Sequence, residues 1–251
     1  MSTPVNVSEK LDKADENAVL FDVTLYQSAV GSLLYLATKT RPDISFAVSN
    51  VARHCSRPTE KHWSAVKRIF RYLCGTKDFG IMYSKQKLFN CIGYSDADFA
   101  GDHNDRKSTS GYCFVISGSL VAWRTSKQTC VALSTAESEL IALALCCQQS
   151  VWLKQLLTDL KTDAGSPMTI NEDNQAAISI AKDGCLHSKT KHVSVKSYFI
   201  QDLVKKNEIF IEYCPTNFML ADLFTKGLTP EKFRMLRSRI GMISLKEFNS
   251  P

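Results

Sequence analysis

The spacing of apolar positions changes character along the chain. Residues 1–25 alternate polar and charged side chains with little period and read as a linker or strap. At Tyr26 a helical period sets in: "YQSAVGSLLYLATKT" carries Leu33, Leu34 and Ala37 as an apolar stripe. "RPDISFAVSNVARHCS" follows, with Pro42 and Asp43 at a helix start. In "TEKHWSAVKRIFRYLCG" Thr59 can cap a third helix, Trp63, Val66, Phe70 and Leu73 recur at helical spacing, and Gly75 ends it. Residues 26–78 are predicted to form a small helical unit.

From about residue 79 strands take over. "GIMYSKQ" and "FNCIGYSD" read as strands, and "GYCFVISGSLVAWRTS" as a hairpin turning at Ser117-Gly118-Ser119. "QTCVALS" reads as a further strand. A helix is predicted over 134–160, capped by Ser134 or Thr135. "PMTINED" is then a strand, "NQAAISIAKDG" a helix ended by Gly184, "SVKSYFIQDLVKKN" a helix and "EIFIEYC" a strand. "NFMLADLFTKGL" is a short helix and "TPEKFRMLRSRIG" a last one opened by Pro230. Leading strands followed by strands that alternate with helices predict an α/β fold, a mixed sheet covered by helices.

Composition narrows the class without choosing a function. The 251 residues are 44% hydrophobic and 22% charged, enough for one large or two modest globular domains. A formal charge of +6 leans only weakly towards an anionic partner. No apolar run approaches the roughly 20 residues of a membrane span, so no membrane partner is expected. No basic n-region leads into an apolar core at the start, so no signal peptide is expected. The nine cysteines lie mostly in apolar text without a C-x-x-C pair and are expected to be buried free thiols in a reducing compartment. The five histidines are scattered, which leaves a structural zinc site little support.

Four acidic residues stand in apolar surroundings. Asp96 ends the strand "CIGYSD", with Asp98 on the same face two positions on; the strand is expected to break beyond Asp96, which makes Asp96 the better candidate. Glu139 precedes "LIALAL" and is more inward than Glu137, which lies on another helix face. Asp173 closes "MTINED", where the plainer role is a helix N-cap. Asp222 sits inside "FMLADLFTK". Each alone fits a cap, a turn or the surface. Together, clustered carboxylates would take up protons unless a cation neutralised them, and Mg²⁺ is the natural hard, oxygen-ligated choice. Two such ions can activate water and steady the leaving oxygen of a phosphodiester.

The stretch "GYSDADFAGDHNDRKSTSGYCFVISGSLVAWRTSKQTCVALSTAESELIALA" resembles the ribonuclease H domain of copia-type retrotransposon polyproteins, as do "EDNQAAISIAK", "SKTKHVSVKSYFI" and "ADLFTKGL". "YQSAVGSLLYLATKTRPDISFAVS" and "HWSAVKRIFRYLCGT" resemble the segment after the reverse transcriptase palm in the same polyproteins, so the resemblance covers roughly residues 20–241. It implies a ribonuclease H-like mixed five-stranded sheet with flanking helices, preceded by a small thumb- or connection-like helical unit. The expected layout is a linker or strap at 1–25, the helical unit at 26–78, the ribonuclease H-like domain at 79–229, and a C-terminal helix and tail at 230–251. The resemblance also implies a metal-dependent endonuclease acting on the RNA strand of RNA–DNA hybrids during reverse transcription. Its Asp–Glu–Asp–Asp carboxylate set falls on Asp96, Glu139, Asp173 and Asp222, which would hold two Mg²⁺ ions, with Mn²⁺ able to substitute. There is no Y-x-D-D stretch, so polymerisation by this chain alone is not expected. Many relatives carry a loop histidine before the last Asp; "CPTNFML" has none. His192, in "TKHVSVK", is read as a helix-start or substrate-side residue rather than a ligand.

A hybrid-cutting enzyme must sense the 2′-hydroxyls of RNA across a shallow minor groove. Asn174, next to Asp173, is a candidate for this, and equally a candidate helix cap. Arg106, Lys107, Ser108 and Thr109 form a polar loop that could meet backbone phosphate, or a solvated turn. Residues 51–80 hold seven Lys or Arg against two Asp or Glu, and Lys67, Arg68 and Arg71 lie together on the third helix, as a duplex-tracking face or an ordinary solvated one. The last helix repeats the ambiguity with Lys232, Arg234, Arg237 and Arg239. Two other readings stay open: a nucleic-acid-binding or connection-type domain that no longer cuts, and a structural interaction domain within a larger transcriptase. The expected partners are an RNA–DNA hybrid and the palm of the parent polyprotein, and the expected place is the cytoplasm, in virus-like particles, or the nucleus.

Overall fold

The computed structural model describes residues 1–84, 90–162, 167–183 and 191–248. Helices α1 (Val23–Lys39), α2 (Ser45–Ala52) and α3 (Glu60–Cys74) come first, with a 3₁₀ turn at Pro42–Ile44 leading into α2. Strand β1 (Phe79–Ile81) precedes β2 (Cys91–Asp98), β3 (Thr109–Ile116) and β4 (Ser119–Lys127). Then come α4 (Thr135–Asp159), β5 (Met168–Glu172), α5 (Gln175–Asp183), α6 (Lys191–Lys205) and β6 (Ile209–Tyr213). Short α7 (Asp222–Thr225), α8 (Pro230–Arg239), β7 (Met242–Ser244) and α9 (Leu245–Phe248) complete the chain.

Five strands form one mixed sheet in the order β4-β3-β2-β5-β6. β2, β3 and β4 are antiparallel, joined at the hairpin by Ser117 and Gly118, both with positive φ as a two-residue turn requires. β5 joins β2 in parallel, and β6 joins β5 in parallel. Alternation along the strands loads both faces. Tyr112 and Phe114 face a core shared with α4, α5 and α6, whereas Cys113 and Val115 face a core shared with α1, α2, α3, α7 and α8. By length and composition α4 could cross a membrane, yet Leu140, Leu143, Ala144 and Cys147 bury it against the sheet.

Three local expectations change. The buried stripe of α3 is His62, Val66, Ile69 and Tyr72: Val66 is as predicted, while the other three stand one position before Trp63, Phe70 and Leu73, of which Phe70 is exposed and Trp63 and Leu73 are half-buried. A polar residue holds the core-facing position because both ring nitrogens are satisfied: His62 Nδ1 accepts from the Thr59 N–H at 2.9 Å and Nε2 meets the Asp12 carbonyl at 2.9 Å. On α1, Tyr26, Val30, Leu33 and Ala37 are buried while Leu34 points out. "QTCVALS" is not a strand: β3 begins at Thr109, opposite Lys127, and leaves the residues after Gln128 nothing to pair with. The strand expected at "GIMYSKQ" is present at its start as β1, and its pairing with β7, Phe79 against Ser244, had no sequence signal.

A buried ionic network ties the helical segment to the C-terminal helix. Arg41 Nε and Nη2 donate to the two oxygens of Asp43 at 2.9 and 2.8 Å. The Tyr72 hydroxyl donates to Asp43 Oδ2 at 2.6 Å and accepts from Arg237 Nη1 at 2.9 Å. Arg237 itself stacks over Phe79, 4.1 Å from the ring centre. No disulfide forms among the described residues, and Cys91, Cys113, Cys146, Cys147 and Cys214 are buried thiols.

Candidate metal centre

The site grows from the register of the central strands. Tyr94 on β2 lies beside Asn171 on β5, so two residues further on Asp96 comes level with Asp173. β2 continues through Asp98, opposite Thr109, instead of breaking after Asp96. Asp96 is buried and Asp98 half-buried at the strand end. α4 supplies Glu139. Its neighbour Glu137 turns back to accept from the Leu133 N–H at 2.8 Å, where the Ser134 cap starts the helix, which leaves Glu139 as the carboxylate directed at the sheet. Asn174, not Asp173, caps α5, its Oδ1 accepting from the Ala177 N–H at 3.0 Å. That leaves Asp173 free for the cluster, and its Oδ2 accepts from Thr216 Oγ1 at 2.8 Å.

One oxygen from each of Asp96, Glu139 and Asp173 lies within 4.8 Å of the others. Glu139 Oε2 is buried and has no hydrogen-bond partner. An all-oxygen set with an orphaned, buried acceptor fits a hard divalent cation. Asp222, the fourth candidate, is fully buried at the start of α7 but is engaged differently. Its Oδ1 pairs with Lys226 Nζ at 2.6 Å and its Oδ2 with Lys232 Nζ. Lys226 also reaches Asp96 Oδ2 at 3.4 Å, an oxygen that the Thr225 hydroxyl donates to as well.

Burial raises the Asp96 carboxyl to about 7, with Lys226 drawing it down and Asp222 pushing it up. Burial, reinforced by the charges of Glu172, Asp96 and Asp173, drives Glu139 far above the usual carboxylate range. Burial draws the Lys226 ammonium down, but the charges of Asp96 and Asp222 outweigh it and leave Lys226 raised. Glu172 is a fifth buried carboxyl, held well above its ordinary value by burial, with Oε1 accepting from the Asn174 N–H at 3.2 Å. Period 2 along β5 turns Glu172 away from the Asp173 side; the adjacent acids "ED" signal one inward and one outward carboxyl only once the strand end is known.

α7 can approach the sheet this closely because Gly111 stands directly opposite Asp96 on β3. A Cβ there would lie 2.7 Å from Thr225 Cγ2 and 2.8 Å from Phe224 Cβ. Gly111→Ala is therefore expected to destabilise the protein by about 1–3 kcal/mol through overpacking. The measurement is the urea midpoint, and an unchanged midpoint would show that α7 gives way at no cost.

The other candidates scatter. Ser108 and Thr109 point inward: Ser108 Oγ accepts from the Ala100 N–H at 3.1 Å, and Thr109 Oγ1 from Arg53 at 3.0 Å. Arg106 is exposed, and Lys107 is half-buried beside Asp105. On α3, Lys67 pairs with Glu60 at 2.9 Å, Arg68 donates to Thr3 at 3.2 Å, and Arg71 is exposed. On α8, Lys232 turns to Asp222, Arg237 joins the Tyr72 network and Arg239 lies over Phe218, while Arg234 stays beside Glu231. His192 lies in the first turn of α6, and its side chain is outside the described residues. Lys226 was missed, although its place four residues after Asp222 marks an i,i+4 pair.

Comparison with known proteins gives three informative likenesses, and no family model matches the chain. The chain is 39% identical over 219 residues to the retrovirus-related Pol polyprotein from transposon TNT 1-94 of Nicotiana tabacum, covering 87% of this chain. It spans only 16% of that polyprotein's length. It is 46% identical over 128 residues to the secreted RxLR effector protein 161 of Plasmopara viticola, covering 51% of this chain and 90% of that protein. The structure of the foamy viral protease-reverse transcriptase in complex with RNA/DNA hybrid matches with a TM-score of 0.51 at 14% identity, over 85% of this chain and 27% of that one. At that identity the likeness is one of fold.

Proposed function

We propose that the chain, which is similar to retrovirus-related Pol polyproteins over 87–98% of its own length, is the ribonuclease H segment of such a polyprotein, a metal-dependent endonuclease that cuts the RNA strand of an RNA–DNA hybrid. The observation that carries this reading is the convergence of Asp96, Glu139 and Asp173 from three separate elements.

Asp96, Glu139, Asp173 and, after rearrangement, Asp222 would hold two Mg²⁺ ions, or Mn²⁺ in their place. When bound, such ions supply the positive charge that favours attack by water and departure of the 3′ oxygen from phosphorus. The chain's own groups set the stage. The Thr225 hydroxyl fixes the rotamer of Asp96, and the Thr216 hydroxyl that of Asp173. The packing of α4 against β2 shields Glu139 from bulk water, which strengthens every charge interaction at the site. Asn174, whose oxygen caps α5, would offer its amide nitrogen to a sugar hydroxyl. Arg106 and Arg71 are exposed cations that would meet phosphate. Residues 26–78 would track the duplex, and the palm of the parent polyprotein would complete the binding surface.

Cleavage of a strand-labelled hybrid is expected to require Mg²⁺ or Mn²⁺ and to stop with chelator. The products should carry 5′-phosphate and 3′-hydroxyl ends. Ca²⁺, with looser coordination, should bind without turnover. A second reading, a hybrid-binding domain that no longer cuts, is favoured by one observation: Asp222 is held by two lysines. Hybrid binding without cleavage in either ion would decide for it.

A further inference from the structure

Two of the buried carboxylates already have a cation. Asp96 and Asp222 are 1% and 0% exposed, and unpaired charges so placed would repel each other and take up protons. Lys226 Nζ reaches both, 2.6 Å from Asp222 Oδ1 and 3.4 Å from Asp96 Oδ2. Lys232 takes the second oxygen of Asp222. The other end of the cluster is different. Among the described residues, no lysine or arginine pairs with Glu139 or Asp173, and Glu139 keeps its orphaned oxygen there. The cluster thus has an open end, bounded by Asp96, Glu139 and Asp173, and an end closed by an ammonium.

Lys226 is placed to leave. It is the residue that closes α7, with an extended backbone at φ −144° and ψ 161°, and about a third of its side chain is exposed. A lysine ammonium is a compact charge on a flexible stem, so it can swing into solvent without disturbing the backbone. Asp222 would retain Lys232, and Asp96 would retain the Thr225 hydroxyl.

We propose that Lys226 is a resident counter-cation: it neutralises Asp96 and Asp222 until a divalent ion loads between them, and that ion must displace it. The inference rests on the metal-dependent reading above and adds an order to it. The open end loads first and tightly. The lysine end loads second and weakly, because ion and ammonium compete for the same two carboxylates. The displaced ammonium then stands beside the site with its charge free for a phosphate oxygen.

The test is Mn²⁺ titration of the full chain, followed by the signal of free Mn²⁺ in electron paramagnetic resonance, together with melting curves in chelator. Wild type should bind one ion tightly and a second more weakly. Lys226→Gln should bind the second ion about tenfold or more tighter, since a unit charge a few ångströms away has been removed, with little change at the first. In chelator the variant should melt below wild type, and added Mn²⁺ should narrow or reverse that difference. Lys226→Arg keeps the charge, so its second site should stay as weak as in wild type; this variant decides the matter if Lys226→Gln does not fold. A second-site affinity in Lys226→Gln within twofold of wild type, or an equal tightening in Lys226→Arg, would overturn the proposal while leaving the metal reading standing. Absence of Mn²⁺ binding to wild type would overturn both.

Discussion

Asp96→Asn is expected to slow cleavage of the RNA strand by at least about 100-fold, the scale on which charged groups act in a transition state. The asparagine keeps the shape and can still accept from Thr225, so the fold should survive and hybrid affinity should change little. Asp98→Asn should cost much less, since Asp98 stands half-buried at the strand end, outside the three-carboxylate group. The same substitution should alter how stability depends on pH. Burial raises Asp96 from 3.8 to about 7 in the folded protein. Between those two values the folded form holds a proton that the unfolded chain has lost, so stability falls as pH rises from about 4 to 7. In chelator the wild type should lose melting temperature across that window, and Asp96→Asn should lose less. Equal activity losses at positions 96 and 98, or identical pH profiles for wild type and Asp96→Asn, would remove Asp96 from the centre of the site.

The second large effect lies in the buried network of Arg41, Asp43 and Tyr72. Asp43→Ala would leave the Arg41 guanidinium buried without its carboxylate and the Tyr72 hydroxyl without its acceptor. Breaking one side of a buried pair is expected to cost about 3–5 kcal/mol. The change should appear in the urea midpoint at constant m-value, with metal binding retained at temperatures where the protein stays folded. Asp43→Asn keeps an acceptor for Tyr72 and should cost less. A loss under about 1 kcal/mol for Asp43→Ala would mean that water reaches Arg41 and solvates it.

Much of this was legible in the chain. Strand period 2 located β2 and the hairpin, and the apolar text around Asp96, Glu139, Asp173 and Asp222 marked all four as unusual. Three kinds of information were missing. On α3 the pattern finds Val66 but sets the rest of the buried face one position late, because a histidine with both nitrogens bonded can sit inward while pattern counts it as polar. The strand expected at "QTCVALS" failed because pairing depends on where the neighbouring strand ends, and local propensity carries no record of that. The partition of the four carboxylates into three plus one depends on lysines that return to them through the fold. Lys226 lay within reach of a helix-spacing argument; Lys232, on another helix, did not.

The core on the helical side of the sheet has no seam at residue 78. Tyr26, Val48, Ile69 and Tyr72 pack in one cluster with Leu223, Phe224, Phe233 and Leu236. α7 therefore carries Asp222 and Lys226 on a layer whose other half is made by the first three helices. The presence of those helices is coupled to the placement of Asp222: a chain begun at residue 79 would expose the floor beneath α7 and loosen that carboxylate.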